Sequence, residues 1–409
     1  MSGIFLLVRR NLGLHKLSTS ITVIATGLAC ALALSVFAIA DQTRNAFTAT
    51  EVGFDGVLGA RGSELQIVLN TIFHLETSTG NIPFSLYREM RKDRRVKYAI
   101  PFATGDNYKG FRIVGTSEEL WTKVPFFQVQ SPGRFFHGQR REAVIGSFVS
   151  ARTGLGINDV FHPYHGAVFD PSQRHAEEYV VTGVLEPTNT PADRAIWVPI
   201  EGIWRMEGHV LRGAGTEYVP QPQVPIPDEH KEVSSIGIRL RAPMFGPQLA
   251  QDFNRRGTRY TFALVTPAIL SLFNKLFWFV DVLRVVAWLV VAVATGAILA
   301  SIYNTMNERR REFAILRALG ASRRTVWTSI VLESSTIALL GAVLGFALYA
   351  GIFGFSAALI RSRTGVVLEI LSFNSVFVWI PLGMVLLGAV AGVIPAYKAY
   401  ATDVAPNLR

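Results

Sequence analysis

Four long apolar runs separated by polar stretches dominate the chain, and this pattern predicts a membrane protein. Each run is as long as the roughly 20 residues that a helix needs to cross a bilayer. Charged residues are absent from Leu17–Ala40, Val285–Asn307, Ser334–Ile360 and Ile370–Tyr397. We therefore predict transmembrane helices at residues 17–40, 281–303, 325–360 and 370–397. A signal peptide is the alternative for the first run, but its apolar stretch exceeds the about 7–15 residues usual for one.

Residues 41–280 separate the first two spans and have the pattern of an α+β domain. Short apolar runs bounded by Gly or Pro are typical of buried strands. The predicted strands are Ala143–Gly146, Tyr179–Leu185 and Ala195–Pro199. A helix is expected at Ser85–Lys92, with Ser85 as its cap. Helical patterns at 41–50 and 267–280 continue from the first two spans, so we expect a helical stalk that carries the domain.

Basic residues lie beside the apolar runs and determine the predicted orientation. The chain has 409 residues and a formal net charge of +10. Eight of these ten charges come from residues 1–16, 303–328 and 398–409. Lys and Arg accumulate on the cytoplasmic side of membranes, so both termini and residues 304–324 are predicted to be cytoplasmic. The domain at 41–280 and the short loop at 361–369 are then outside. Charge placed in this way does not form a nucleic-acid-binding face, and we expect no nucleic-acid partner.

The stretch Asn304–Glu333, between the second and third spans, is the most informative part of the sequence. It begins with a short basic amphipathic helix, which we predict within residues 304–324. Three apolar side chains fall on one stripe at helical spacing: Phe313, Leu316 and Leu319. Gly320 is expected to end this helix, and Ser322 to cap the next one. A charged helix between two membrane spans is expected to dock a soluble partner.

Glu333 is an acidic residue inside the third predicted span. An acid at membrane depth is costly and by default indicates a function. Two interpretations are open: an ion pair with Arg323 or Arg324, which we favour, and a proton relay. At the outer end of the second span, Asp281 and Arg284 are three residues apart and are expected to pair.

The order of segments and one motif resemble a known family. The motif reads Asn307-Glu308-Arg309-Arg310-Arg311-Glu312-Phe313-Ala314-Ile315-Leu316-Arg317-Ala318-Leu319-Gly320-Ala321-Ser322. With one span, a large external domain and three further spans, it closely resembles the permeases of the MacB/FtsX superfamily, the type VII ABC transporters. The external stretches 143–159 and 181–193 resemble the periplasmic core domain of that family.

The resemblance implies a fold, a location and partners. The fold is an α-helical membrane protein with four transmembrane helices plus a large α+β periplasmic domain on a helical stalk. The location is the bacterial inner membrane, with cytoplasmic N- and C-termini. The implied partners are a dimer of ABC ATPase subunits, a second copy of this chain, and a periplasmic adaptor or lipoprotein.

In that family, the segment that corresponds to residues 307–322 is a coupling helix that docks into a groove on the ATPase. The resemblance implies docking roles for Glu308, Arg309, Arg311, Glu312, Arg317 and Gly320. To these we add two apolar residues of the stripe, Phe313 and Leu316. The phosphate-binding sequence Gly-x-x-x-x-Gly-Lys-Ser/Thr does not occur in the 409 residues. We therefore expect a non-enzyme without catalytic or cofactor-binding residues, and a separate ATPase that binds ATP and Mg²⁺.

The implied function is mechanotransmission, in which ATP hydrolysis changes the periplasmic domain so that it moves or extrudes a substrate or lipoprotein. Lipoprotein release, signalling without a transported cargo, and metal-related transport through the external histidines are the alternatives. For the last, the spacing of His162, His165 and His175 suits a metal. Histidines in loops usually carry no ion, and we expect no metal site.

Overall fold

The computed structural model describes residues 2–48, 53–138, 141–206, 224–364 and 375–401. The chain divides into two compact units. One is a helical unit formed by Met1–Arg44, Leu276–Leu359 and Leu368–Arg409; the other is a sheet unit formed by Asn45–Lys275 and Ile360–Val367. Some residues of the predicted segments lie outside the described residues: residue 1 of the N-terminal segment, 49–50 of the stalk, 51–52, 139–140 and 207–223 of the domain, 365–369 of the outer loop, 370–374 of the fourth span and 402–409 of the tail.

Helices account for most of the helical unit, and the sheet unit has shorter helices of its own that pack on its sheet. Within the described ranges the α-helices are α1 Ser2–Leu14, α2 Lys16–Thr48, α3 Glu64–Thr71, α4 Phe84–Lys92, α5 Glu119–Lys123, α6 Ser147–Thr153, α7 Ile200–Trp204, α8 Phe245–Ala250, α9 Val265–Glu308, α10 Arg310–Ala318, α11 Arg323–Thr364 and α12 Val376–Ala401.

Four of these helices contain apolar stretches long enough to cross a membrane. The stretches are Lys16–Gln42, Trp278–Glu308, Arg323–Arg361 and Val376–Lys398. The four predicted spans are therefore confirmed as helices. Two of them continue beyond the predicted spans, as the helical patterns at 41–50 and 267–280 predicted: α2 reaches Thr48, and α9 begins at Val265. A helix continues through polar residues until a cap or a breaker ends it, so hydropathy alone does not mark its ends.

Glycines allow the helices of the helical unit to pack closely. A Cβ atom on Gly341 of α11 would lie 2.6 Å from Thr26 Cβ of α2, and one on Gly392 of α12 would lie 2.1 Å from Ser334 Oγ of α11. Such distances leave no room for a side chain. Small residues at helix crossings are the usual means of close packing in lipid, where water does not drive helices together.

The sheet unit is built on one large mixed sheet. Its strands, within the described residues, are β1 Gly56–Ala60, β2 Ile82–Pro83, β3 Val96–Tyr108, β4 Phe111–Thr116, β5 Glu142–Ile145, β6 Val160–Phe161, β7 Tyr164–His165, β8 Tyr179–Val184, β9 Ala195–Pro199, β10 Glu232–Val233, β11 Ser235–Leu240 and β12 Tyr260–Leu264. The strand order is β12-β1-β11-β3-β4-β9-β5-β8-β6, with β7 added to β3 and with β2 and β10 paired separately. The pairs β4–β9 and β5–β8 are parallel, and the others are antiparallel.

Both faces of the sheet are covered, which explains why its strands read as continuous apolar runs. On β9, Ile196 belongs to one buried cluster and Trp197 to the other, because successive side chains point to opposite faces. One cluster is covered by α4, α6, α7 and α8, and the other by α3, α5 and the first turns of α9. The three predicted strands are confirmed as β5, β8 and β9. The predicted α4 helix is present but begins at Phe84, with Pro83 at its N-cap, so the cap role given to Ser85 was wrong.

Candidate functional site

One non-helical residue, Arg309, lies between α9 and α10. Its φ and ψ of −100° and 10° leave the helical region and separate α9 from α10. Backbone bonding continues on both sides, since the Arg309 N–H donates to Thr305 O at 3.1 Å and Arg309 O accepts from Phe313 N–H at 3.1 Å. The helix predicted within residues 304–324 and ending at Gly320 is therefore in two pieces, the end of α9 and the short α10.

A conventional cap and stop define the other end of α10. Gly320 has a φ of +97°, the left-handed region that glycine adopts without strain. The Gly320 N–H donates to Arg317 O at 3.1 Å, and the Ala321 N–H donates to Leu316 O at 3.0 Å. This pair of bonds is the Schellman motif. Ser322 Oγ then accepts from the Thr325 N–H at 3.2 Å and caps α11. The predicted stop at Gly320 and cap at Ser322 are both confirmed.

Glu333 of α11 joins three parts of the helical unit. Arg309 Nη1 donates to Glu333 Oε2 at 3.3 Å, and Asn11 Nδ2 of α1 donates to the same oxygen at 3.2 Å. Each of the three residues is at most 6% exposed. A buried charge is costly unless it is paired and hydrogen-bonded, so these contacts define one arrangement of α1, α11 and the junction between α9 and α10.

The expected ion pair of Glu333 exists, but its predicted partner was wrong. Arg323 and Arg324 begin α11 and are exposed. Ten residues separate Arg323 from Glu333, which is about 15 Å along a helix axis and beyond the reach of one arginine side chain. Arg309 is a partner because the helix break places its guanidinium against α11. The other predicted pair is confirmed, with Arg284 Nη1 at 2.9 Å from Asp281 Oδ1.

The buried face of α10 contains residues that we predicted to contact a partner. Phe313 is 7% exposed and packs with Ile302 of α9 and Val326 of α11 in one apolar cluster, and Leu316 is half-buried against it. The Arg309 guanidinium lies 4.9 Å from the centroid of the Phe313 ring and also bonds Glu312 through Nε at 3.1 Å. Arg309, Phe313 and Leu316 therefore form the inner stripe of the segment.

The exposed face of α10 is a different stripe, and it includes Leu319, so the prediction that Leu319 shares a stripe with Phe313 and Leu316 was wrong. Arg311, Ile315 and Leu319 are four residues apart, so they lie on one face of the helix. Leu319 is 80% exposed and Ile315 is 44% exposed. The other exposed side chains of the segment include Glu308, Glu312, Arg323, Arg324 and Trp327, and Arg317 is half-buried. Ile315 and Leu319 are therefore exposed apolar residues in a segment whose exposed charges are of both signs, with more positive than negative.

The three candidate histidines of the sheet unit divide into two sets. His165 and His175 come together beside Asp106, which is fully buried on β3. His162 does not join them, because its Nδ1 contacts Glu177 O at 3.1 Å and its Nε2 contacts Arg174 at 2.8 Å. Grouping His162 with the other two was therefore wrong.

The buried Asp106 also affects Tyr179. Burial, with a smaller contribution from the negative charge of Asp106, raises the pKa of Tyr179 far above its usual range.

Two family profiles match this chain over most of its length. Residues 19–243 match the MacB-like periplasmic core domain, and residues 284–404 match the FtsX-like permease C-terminal region. The first match alone covers more than half of the 409 residues. The chain belongs to the MacB/FtsX family of ABC transporter permeases. Its four apolar helices and its periplasmic core domain make this permease an inner-membrane protein.

The permease also resembles individual proteins. An uncharacterized ABC transporter permease of Mycobacterium tuberculosis (strain ATCC 25618 / H37Rv) is 30% identical over 116 residues, which are 28% of this chain and 30% of the relative. An uncharacterized ABC transporter permease of Mycobacterium bovis (strain ATCC BAA-935 / AF2122/97) is 33% identical over 116 residues, 28% of this chain and 29% of the relative. The permease thus matches less than a third of the length of these relatives.

Two solved structures are similar to part of the permease. The extracellular domain of the noncanonic ABC-type transporter YknZ from Gram-positive bacteria has a TM-score of 0.30 and 14% identity, covering 51% of this chain and 97% of that one. The periplasmic region of MacB from Actinobacillus actinomycetemcomitans has a TM-score of 0.33 and 10% identity, covering 54% of this chain and 95% of that one.

Sequence reasoning missed Asn11, Ile315 and Asp106. Asn11 is a polar residue in a segment that we described only by its charge, and its burial depends on the packing of α1. Ile315 is an apolar residue outside the stripe that we selected. Asp106 is distant in sequence from the histidines, and only the pairing of β3 with β7 brings them together.

Proposed function

We propose that this permease is the transmembrane subunit of an ABC complex in which α10 docks on a separate ATPase. The observation that carries the proposal is the exposed stripe of Arg311, Ile315 and Leu319, on the opposite face of α10 from the buried Arg309. An amphipathic helix with an exposed apolar ridge is a usual ligand for a groove on a partner. The exposed arginines of the same segment, Arg311, Arg323 and Arg324, favour a groove with an acidic rim, because opposite charges guide association.

In this proposal α10 passes the movement of the ATPase to both of its neighbours. Arg309 joins α10 to α9 by one residue, and its ion pair with Glu333 links the same junction to α11. A closely packed junction moves between discrete arrangements, because a packed interior does not deform continuously. Docking energy and ATP-driven closure would therefore shift α9 and α11 together.

The route from the membrane to the periplasmic domain is α9 itself. This helix runs without a break from Glu308 back to Val265, directly after β12. Its first turns contribute Val265, Ala268 and Ile269 to a buried cluster of the sheet unit. We infer that a shift at Arg309 changes the packing of this cluster, and that two copies of the permease work with two ATPase subunits. With α10 on the ATPase side, both termini are cytoplasmic.

Association and ATP hydrolysis test the proposal. The permease, purified in mild detergent, is expected to retain a polypeptide that carries the phosphate-binding motif and hydrolyses ATP. Leu319→Asp places a charge on the docking ridge and should weaken this association about 30-fold, as for an interface residue worth about 2 kcal/mol. Leu75→Asp is the matched control, since Leu75 is also exposed (59%) but belongs to the sheet unit. An ATPase that binds Leu319→Asp as well as wild type would refute docking on this ridge.

A further inference from the structure

Three residues of the sheet unit converge at the junction of β3 and β7. Asp106 on β3 is directly opposite His165 on β7 in the antiparallel register. His175 follows a short helical turn at Pro171–Gln173 and faces the same carboxylate. The possible ligand atoms of the three side chains all lie within 4.8 Å of one another.

The distances within this group suit a metal ion better than direct hydrogen bonds. His165 Nδ1 is 3.4 Å from Asp106 Oδ1, and His175 Nε2 is 3.5 Å from the same oxygen. Good hydrogen bonds between such groups span about 2.7–3.2 Å. Two ligands of a tetrahedral Zn²⁺ ion, each about 2.1 Å from the metal, are about 3.4 Å apart. The two imidazole–carboxylate distances therefore match the edges of a zinc tetrahedron.

The backbone around the group is held in place by neighbouring residues. Asn107, which is fully buried, donates from Nδ2 to Gly166 O at 2.9 Å and accepts the Gly110 N–H at 3.1 Å. These bonds fasten the loop that follows His165 to the strand that carries Asp106. The His175 N–H donates to Pro163 O at 2.9 Å, which fixes the backbone of the other histidine to the residue that precedes β7. These bonds hold in place the backbone that carries the three possible ligands.

One side of the group is open. Asp106 and His175 are buried, whereas the side chain of His165 is 52% exposed. Three protein ligands with an open fourth position form a recognised type of zinc site, in which water or a donor atom from another molecule completes the coordination. A carboxylate with two imidazoles also suits Zn²⁺ and similar transition metals more than Ca²⁺ or Mg²⁺, which prefer oxygen ligands.

We propose that Asp106, His165 and His175 bind one Zn²⁺ ion in the periplasmic domain, with the fourth coordination position open to solvent. The ion ties the loop at 164–175 to β3. This site is independent of ATPase docking and can be tested without the ATPase.

Zinc binding by the full-length permease in detergent tests the proposal. The protein is purified with a histidine-free tag, stripped with a chelator and titrated with Zn²⁺ against a chromophoric chelator; elemental analysis then gives the stoichiometry. Wild type is expected to hold one ion per chain at this site. His165→Gln and His175→Gln should each weaken binding by more than about 100-fold, since the loss of an outer contact alone costs 10- to 100-fold.

His162→Gln is the matched control, because it changes a histidine of the same region that contacts Glu177 and Arg174 instead. It should bind zinc like wild type. If His175→Gln alters folding, the exposed His165 is the decisive position. To show that His165→Gln does not alter folding, unfolding curves are recorded in chelator, where wild type and His165→Gln should be identical. Absence of zinc from wild type, unchanged affinity in His165→Gln, or an equal loss in His162→Gln would overturn the proposal.

Discussion

The guanidinium of Arg309 lies 3.3 Å from the carboxylate of Glu333, and both side chains are at most 7% exposed. Arg309 is the one residue between α9 and α10, whereas Glu333 is well inside α11. The pair therefore connects the end of one membrane helix, the proposed docking segment and the next membrane helix. A buried pair of this kind favours one arrangement strongly, because separating the charges leaves each of them unpaired.

Removal of one partner of this pair should destabilise the helical unit by about 3 kcal/mol. Glu333→Leu leaves the Arg309 charge buried without its partner, whereas the double change Arg309→Met with Glu333→Leu removes both charges and should restore much of the loss. Thermal unfolding in detergent measures both effects. The exposed pair Asp281–Arg284 is the control, and Asp281→Asn should cost less than about 1 kcal/mol. Equal losses of stability at the two pairs would contradict the account in which Glu333 forms a buried ion pair.

The two faces of α10 should respond to mutation in opposite ways. Phe313→Ala empties part of an apolar cluster and should lower stability by about 3 kcal/mol or more. Leu319→Ala, on the exposed ridge, should change stability by less than about 0.5 kcal/mol but should weaken ATPase binding. Unfolding and binding measured on the same preparations separate the two effects. Loss of stability in Leu319→Ala with none in Phe313→Ala would reverse the assignment of the faces.

Close contact between α11 and α12 depends on Gly392. Gly392→Ala would place a methyl group 2.1 Å from Ser334 Oγ and should destabilise the helical unit by about 1–3 kcal/mol, the usual cost of overpacking. Gly383→Ala on the same helix meets no atom within 4 Å and should be nearly neutral. Thermal unfolding of the two variants in detergent makes the comparison. Similar unfolding temperatures for both would show that these helices are not in contact at Gly392.

Acid should weaken the sheet unit through His74. Burial, and secondarily the positive charge of Arg112, lowers the pKa of His74 from 6.5 to about 4. Its ring lies edge-to-face on Trp197, and its Nδ1 is shielded from solvent. The unfolded chain therefore binds more protons than the folded one between pH 6.5 and pH 4. The stability contributed by neutral His74 is complete above pH 6.5 and falls by about 1–3 kcal/mol as the pH approaches 4.

Unfolding of the permease at a series of pH values measures this effect. His74→Asn is the comparison, because Asn does not titrate and tolerates the positive φ of 53° found at this position. In the variant, the free energy of unfolding should depend less on pH between pH 6.5 and pH 4 than in wild type. An identical pH profile for wild type and His74→Asn would exclude His74 as its source.

The features of the docking segment that depend on local sequence were predictable, and those that depend on packing were not. Gly320 and Ser322 act through bonds to residues within one helical turn, so the sequence was enough to predict them. The stripe of Phe313 and Leu316 was also recognisable, but amphipathicity does not tell whether an apolar face meets the protein or a partner. Glu333 was expected to have an arginine partner, yet the choice of Arg309 depends on a helix break that the sequence does not indicate.

The histidine group illustrates the same limit in the sheet unit. His165 and His175 are close in sequence, and their spacing was a recognisable sign. Asp106 belongs to a strand far from them in the chain, and its role depends on a pairing of only two residues between β3 and β7. Short pairings of this kind have no strong hydrophobic pattern of their own, so register could not be predicted from alternation.

Hydrogen–deuterium exchange on the permease with its ATPase tests the central claim, that the Arg309–Glu333 junction couples ATPase movement to the periplasmic domain through α9. Wild type should change its exchange at residues 265–275 when a non-hydrolysable ATP analogue is added. Glu333→Gln keeps the shape of the side chain and should bind the ATPase equally well, but its exchange at 265–275 should change much less. An unchanged response in Glu333→Gln, or no response in wild type, would contradict this account.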